Sequence, residues 1–280
     1  DKSYSLGGNN FGVACVDVDD DGDMDVLFAE VAHGDVGLSS DPTEIAFNPG
    51  DGSKFTRPGP DALGLARSHA SKLWDQGDNM PAFVDVDLDG KKDLFLTSTV
   101  YPASRPWLFH QKPDGTFEEI AMRAGIVKQT GTSMGYPVFS PIAQGVDFVD
   151  YDGDGDLDLI VGASEGDDPV RVFRNDIGQD SNFVRVKLVG GGVGAANTAA
   201  IGARVRVTSG GHTQTLEVKG GEGIGNIQND FVLTFGLGAA CDDVHVEVRW
   251  PDAQATVTTY DVRANYTVLI DQTSATVTYR

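Results

Sequence analysis

Cysteine is almost missing: Cys15 and Cys241 stand alone among 280 residues. Two thiols so far apart build neither a disulfide framework nor a zinc cluster. Basic residues are scarce as well, 21 Lys and Arg against 42 Asp and Glu, which leaves a formal charge of −21. A chain this negative repels phosphate, so no nucleic-acid partner is expected. No run approaches the roughly 18 apolar residues of a membrane helix, so no transmembrane segment is expected. The opening Asp1-Lys2-Ser3-Tyr4-Ser5 is not a signal peptide, and any export signal is expected upstream or already removed.

Catalytic signatures are equally thin. The histidines His33, His69, His110, His212 and His245 show no HxH or HExxH spacing and read as surface or internally satisfied groups. Gly162-Ala163-Ser164-Glu165-Gly166 matches GxSxG, but that elbow must lead into a helix. Here Asp167-Asp168-Pro169 and a strand pattern follow, so the match is chance. The clusters Gly190-Gly191-Gly192 and Gly220-Gly221 lack the spacing and βαβ context of a nucleotide site. No catalytic residue is assigned.

What the chain does have is 40% hydrophobic residues, enough for a core, and 35 glycines. Cys15 lies in the apolar run Gly12-Val13-Ala14-Cys15-Val16 and is expected as a buried free thiol. Around it begins a repeat. Asp17-Val18-Asp19-Asp20-Asp21-Gly22-Asp23-Met24-Asp25 recurs as Asp85-Val86-Asp87-Leu88-Asp89-Gly90-Lys91-Lys92-Asp93 and as Asp150-Tyr151-Asp152-Gly153-Asp154-Gly155-Asp156-Leu157-Asp158. The spacing between copies is that of a supersecondary unit, not of a loop.

Each copy puts carboxylates at positions 1, 3, 5 and 9: Asp17, Asp19, Asp21, Asp25; Asp85, Asp87, Asp89, Asp93; Asp150, Asp152, Asp154, Asp158. Alternate spacing turns oxygens toward one point, and glycine at position 6 allows the sharp bend of a closed cage. Position 7 (Asp23, Lys91, Asp156) would offer its backbone carbonyl, which is why lysine is tolerated there. Many hard oxygens in a flexible cage select calcium over zinc and over magnesium. Three calcium ions, one per loop, are expected. The loops are not EF-hands, because position 12 is Phe28, Leu96 or Val161 instead of glutamate.

Short Val-, Ile- and Phe-rich runs flank every loop, so each cage is expected to close a β-hairpin. A second hairpin follows in the first two units, turning at Pro49-Gly50-Asp51-Gly52 and at Pro113-Asp114-Gly115. Two hairpins per unit make a four-stranded blade. The third unit offers one further strand, Val170-Arg171-Val172-Phe173-Arg174-Asn175, and no clear fourth. Beyond the polar stretch Asp176-Ile177-Gly178-Gln179-Asp180-Ser181, Val244, Val246 and Val248 alternate with His245, Glu247 and Arg249, as a half-buried strand does. Strand patterns at 203–207, 213–218, 231–235, 257–260 and 266–270 complete a sandwich.

The loops and hairpins resemble the FG-GAP/VCBS repeats of integrin-α-like β-propellers. The later segment resembles the ASPIC/UnbV domain of cartilage acidic protein-like chains. That second likeness rests on Asn182-Phe183-Val184-Arg185-Val186, Ile201-Gly202-Ala203-Arg204-Val205, Phe235-Gly236-Leu237-Gly238 and Val248-Arg249-Trp250-Pro251. Where that family often shows an aromatic, this chain has Gly223-Ile224-Gly225-Asn226-Ile227-Gln228. The expected fold is therefore all-β. Residues 1–178 would form a partial β-propeller of three four-stranded FG-GAP-like blades, and residues 182–280 a β-sandwich-like domain.

Three blades do not close a propeller, so further blades are expected, upstream in a longer chain or from a protein partner. The function expected is a calcium-binding scaffold or adhesion module working through protein–protein contacts. Loops of this ligand set should bind at roughly 10⁻⁴–10⁻³ M, which suits an extracellular, cell-surface or periplasmic location. Two other readings stand. A carbohydrate-binding propeller would show aromatics at equivalent blade positions, which Trp74 and Trp107 are not. A calcium-dependent polysaccharide-active enzyme would need carboxylates that sequence cannot separate from calcium ligands.

Overall fold

The computed structural model describes residues 10–33, 42–67, 75–98, 104–133, 135–141, 143–163, 170–221 and 230–280. The first unit pairs β1 (Asn10–Val16) with β2 (Asp25–His33), antiparallel across the first acidic loop, and β3 (Glu44–Ala46) adds to β2. In place of a full fourth strand, Phe47 and Thr56 form an isolated bridge. A single helical turn, α1 (Pro60–Leu63), follows.

The second unit is the complete one. β4 (Asp75–Val84), β5 (Asp93–Ser98), β6 (Trp107–Gln111) and β7 (Phe117–Glu119) form a four-stranded antiparallel meander. Residues 31–33 of β2 also pair with 75–77 of β4, which fuses the first two units into one seven-stranded sheet. A separate hairpin, β8 (Lys128–Ser133) and β9 (Tyr136–Ser140), comes next. The third unit holds three strands, β10 (Ala143–Val149), β11 (Asp158–Ala163) and β12 (Val170–Phe173). Among the described residues no sheet closes on itself. Among the described residues, four strands per blade are seen in the second unit alone.

Two cores knit the units together. Val16, Leu27 and Ile45 of the first unit pack with Leu94, Leu96 and Phe109 of the second. Phe95 and Leu108 of the second pack with Leu159 and Val161 of the third. The expectation of a buried Cys15 is corrected: its side chain is exposed. β1 alternates, with Ala14 and Val16 turned to the core and Phe11, Val13 and Cys15 turned out, so an apolar run reads as a half-exposed strand.

After a short 3₁₀ turn (Gly178–Asp180) the chain forms two stacked sheets. One orders β16 (Val232–Gly238), β13 (Asn182–Val189), β19 (Tyr266–Asp271) and β20 (Thr276–Tyr279). The other orders β15 (His212–Glu217), β14 (Arg204–Ser209), β17 (Val244–Arg249) and β18 (Val257–Val262). Inward-facing Val184, Val186, Val205, Val207, Val246 and Val248 meet around Trp250. The indole N–H of Trp250 donates to Thr258 Oγ1 at 2.9 Å, so its one polar group is satisfied. The expected sandwich is present.

Candidate metal centres

The three acidic loops share one backbone trace. Position 6 has positive φ in each, 97° at Gly22, 93° at Gly90 and 104° at Gly155, the region that favours glycine. Position 4 is left-handed too, at Asp20 (61°), Leu88 (56°) and Gly153 (81°). The residue at position 9 opens β2, β5 or β11 and is buried. One of its carboxylate oxygens accepts the N–H of position 2: Asp25 from Val18 (2.9 Å), Asp93 from Val86 (3.0 Å), Asp158 from Tyr151 (3.0 Å). The other accepts a backbone N–H from the neighbouring strand or loop: Asn48 (2.8 Å), Gln111 (2.7 Å) and Asn175 (2.8 Å). Position 9 is thereby fixed before any ion is considered.

Positions 1, 3 and 9 converge in the first and third loops, where Asp17, Asp19 and Asp25, and Asp150, Asp152 and Asp158, bring oxygens within 4.8 Å of one another. In the second loop Asp85, Asp87 and Asp89 converge, and Asp87 and Asp93 gather with His110. Position 5 behaves differently. Asp21, Asp89 and Asp154 each accept the N–H of position 7, at 2.8, 2.8 and 3.3 Å, so they cap the turn. Asp21 and Asp154 lie outside the converging clusters, and only Asp89 joins one. At position 7 the Lys91 ammonium leaves the loop for Asp20, at 2.8 Å. Asp23 turns toward Gly50, and the Asp156 carboxylate is buried against Gly178.

Burial, and then the crowding of like charges, makes Asp25, Asp85 and Asp156 hard to ionise. Burial pushes Asp25 up to about 7 against the pull of the Asn48 and Val18 amides. Burial, then the neighbouring Asp154 and Asp158 charges, pushes Asp156 up to about 7. Asp85 is held well above the carboxylate range by burial even though Lys92 pulls it down. Asp17 Oδ1 and Asp87 Oδ1 are shut off from solvent and make no hydrogen bond. Buried oxygens of that kind call for a positive partner. Their hardness and number fit a divalent cation such as calcium, and the arrangement can hold one.

Some neighbours were not legible as site residues. His110, read as a surface or satisfied group, donates or accepts at 3.0 Å with Asp93, and that bond pushes the imidazole up to about 9. Its cross-strand place beside Asp93 joins residues 17 apart in sequence. Arg185 pairs with the buried Asp150. Asn48, Gln111 and Asn175 could have been found, since each lies at or just beyond the end of the second strand after its loop, β3, β6 or β12. The GxSxG serine, His69, Trp74 and the 223–228 glycine segment lie outside the described residues.

Residues 85–161 match the model of the FG-GAP-like repeat, and residues 192–277 match ASPIC and UnbV. The chain carries an FG-GAP-like repeat followed by an ASPIC and UnbV domain. The repeat match starts at Asp85 and takes in the second and third loops; the first loop, outside it, has the same backbone trace. The narrower cartilage acidic protein-like group is not distinguished by these matches. No curated protein matches the chain. FG-GAP-like repeats are typical of extracellular proteins, are typically non-enzymatic and generally mediate protein interactions. No helix among the described residues is long and apolar enough to cross a membrane.

Proposed function

We propose that this chain is a calcium-stabilised, non-catalytic interaction module that works outside the cytoplasm, with one ion in each acidic loop. The recurrence of the same cage carries the reading. Three loops place a buried position-9 carboxylate on two backbone N–H groups and gather two further carboxylates beside it or around the loop. In this reading Asp17, Asp19 and Asp25, Asp85, Asp87, Asp89 and Asp93, and Asp150, Asp152 and Asp158 supply side-chain oxygens. Asp21 and Asp154 shape the turn, and Asp23, Lys91 and Asp156 add backbone carbonyls. The ion would relieve the mutual repulsion of the carboxylates and hold the hairpin tips closed.

The ligand of the module is a protein surface or further blades of the same kind. Trp107 is taken up in packing, stacked on Phe109 with Arg105 3.8 Å over its ring, which leaves it little face for a sugar. The 390 Å³ cavity between the second and third units is lined chiefly by apolar residues such as Phe95, Leu108 and Leu159, with one carboxylate, Asp176, and no histidine. Melting curves in calcium, magnesium and chelator test the proposal. Calcium should raise the melting temperature above both other conditions; three superimposed curves would end it.

A further inference from the structure

All three loops point at the sandwich, and each meets one of the segments that carry the ASPIC/UnbV resemblance. At the first loop, Arg204 of β14 reaches the Gly22 carbonyl at 3.5 Å, and an Arg206 nitrogen would lie 3.9 Å from a Cβ at Gly22. At the third, Arg185 of β13 pairs with Asp150, and the Phe183 ring lies so close over Gly155 that a Cβ there would be 2.0 Å from it.

The second loop makes the closest fit. A Cβ on Gly236 of β16 would lie 2.2 Å from Asp85 Oδ2 and 2.4 Å from the Leu88 backbone, so the Phe-Gly-Leu-Gly motif lets a strand press directly on the loop. Gly238 N–H donates to the Leu88 carbonyl at 2.8 Å. Leu88, left-handed and 1% exposed, presents that carbonyl only because the loop is bent as it is. Gln214 of β15 donates to the Gly236 carbonyl at 2.6 Å and accepts from Lys92 at 3.3 Å. β15 and β16 are each an edge strand of one sandwich sheet, so the second loop covers an edge that would otherwise stand open.

We propose that Arg185, Phe183, Arg204, Gly236 and Gly238 form a latch that seats the sandwich on the three loops, so that cation loading and domain docking strengthen each other. This rests on the reading of the loops as cation sites. The coupling runs through shape. Backbone-to-backbone contacts such as Gly238 to Leu88 need the bent loop, and the ion is what holds the bend against carboxylate repulsion. The arginines stay favourable after loading, because Arg204 faces a first loop with six carboxylates, Asp17, Asp19, Asp20, Asp21, Asp23 and Asp25, and Arg185 a third loop with five, Asp150, Asp152, Asp154, Asp156 and Asp158, each against one divalent charge. Coupling of this kind is reciprocal.

The test uses the full chain with calcium chloride or chelator. In hydrogen exchange, amides of 182–186 and 234–238 should lose protection in chelator on the order of tenfold, while β17 in the sandwich interior changes less. In calorimetric titration, Phe183→Ala should weaken calcium binding at the third loop on the order of tenfold although it removes no ligand. Should that variant not fold, Phe183→Leu serves, with a smaller loss expected at the same site. If the wild type takes up no calcium, the reading of the loops fails and the latch with it. If it loads, yet the folded variant binds as well as wild type and exchange at 182–186 and 234–238 ignores calcium, the latch alone is overturned.

Discussion

The side-chain amide of Asn175 donates to the carbonyl of Val86 at 2.7 Å, tying the third unit to the loop of the second across 89 residues of sequence. Gln111 repeats the contact one unit earlier, donating to the Val18 carbonyl at 3.1 Å. Both acceptors are position 2 of a loop, and both donors belong to the residue whose backbone N–H holds the position-9 carboxylate. One residue therefore fixes its own loop through the main chain and the preceding loop through its side chain. Asn48 occupies the same place in the first unit, where its side-chain N–H donates to the Met24 carbonyl at 3.3 Å and its Oδ1 accepts from the Gly50 N–H at 3.1 Å.

Asn175→Ala should separate these two roles. The backbone bond to Asp158 survives, while the bonds to the Val86 carbonyl and from the Ile177 amide are lost. A buried carbonyl left without its donor costs about 1–2 kcal/mol. Urea denaturation should show that loss in calcium and in chelator alike. An unchanged midpoint would mean that the units do not lean on this contact.

Asp89→Ala should act through the ion. Asp89 is the one position-5 carboxylate that joins a converging cluster, and it also caps the Lys91 amide. Its loss should lower stability in calcium by about 1–3 kcal/mol by weakening the ion's preference for the folded state. In chelator the change should be smaller, limited to the lost cap. Equal melting of wild type and variant in both conditions would show that the middle loop is not a structural cation site.

Gly12→Ala is the contrasting case. A Cβ there would lie 2.2 Å from the Asn79 carbonyl oxygen and 2.7 Å from Pro81 Cδ, where β1 presses on β4. Overpacking should cost about 1–3 kcal/mol. Because no ligand is touched, thermal melts should show the same drop with calcium as without. A drop confined to calcium would tie this contact to the loops after all.

The loops and their hairpins were legible because every element of the pattern is local: alternate Asp, a glycine at position 6, apolar runs on both sides. The alternation of Val244, Val246 and Val248 made the sandwich legible for the same reason. At position 5 the Asp spacing alone did not announce that Asp21 and Asp154 cap their own turns, as a short side chain on a tight turn bonds its own backbone two residues on. β8 escaped because all six residues are exposed and carry no hydrophobic period. Cys15 misled because one outward face of β1 is itself apolar. The joints between units and the press of Gly236 on Asp85 join residues remote in sequence, and no local pattern announces them.

The most direct measurement is the metal content of the folded chain. After gel filtration in calcium, elemental analysis should find about three calcium ions per chain, one for each loop. Asp25→Asn, which leaves a neutral amide at the first loop's position 9, should remove about one of them. A calcium-free chain, folded and unchanged by chelator, would contradict the account at its centre.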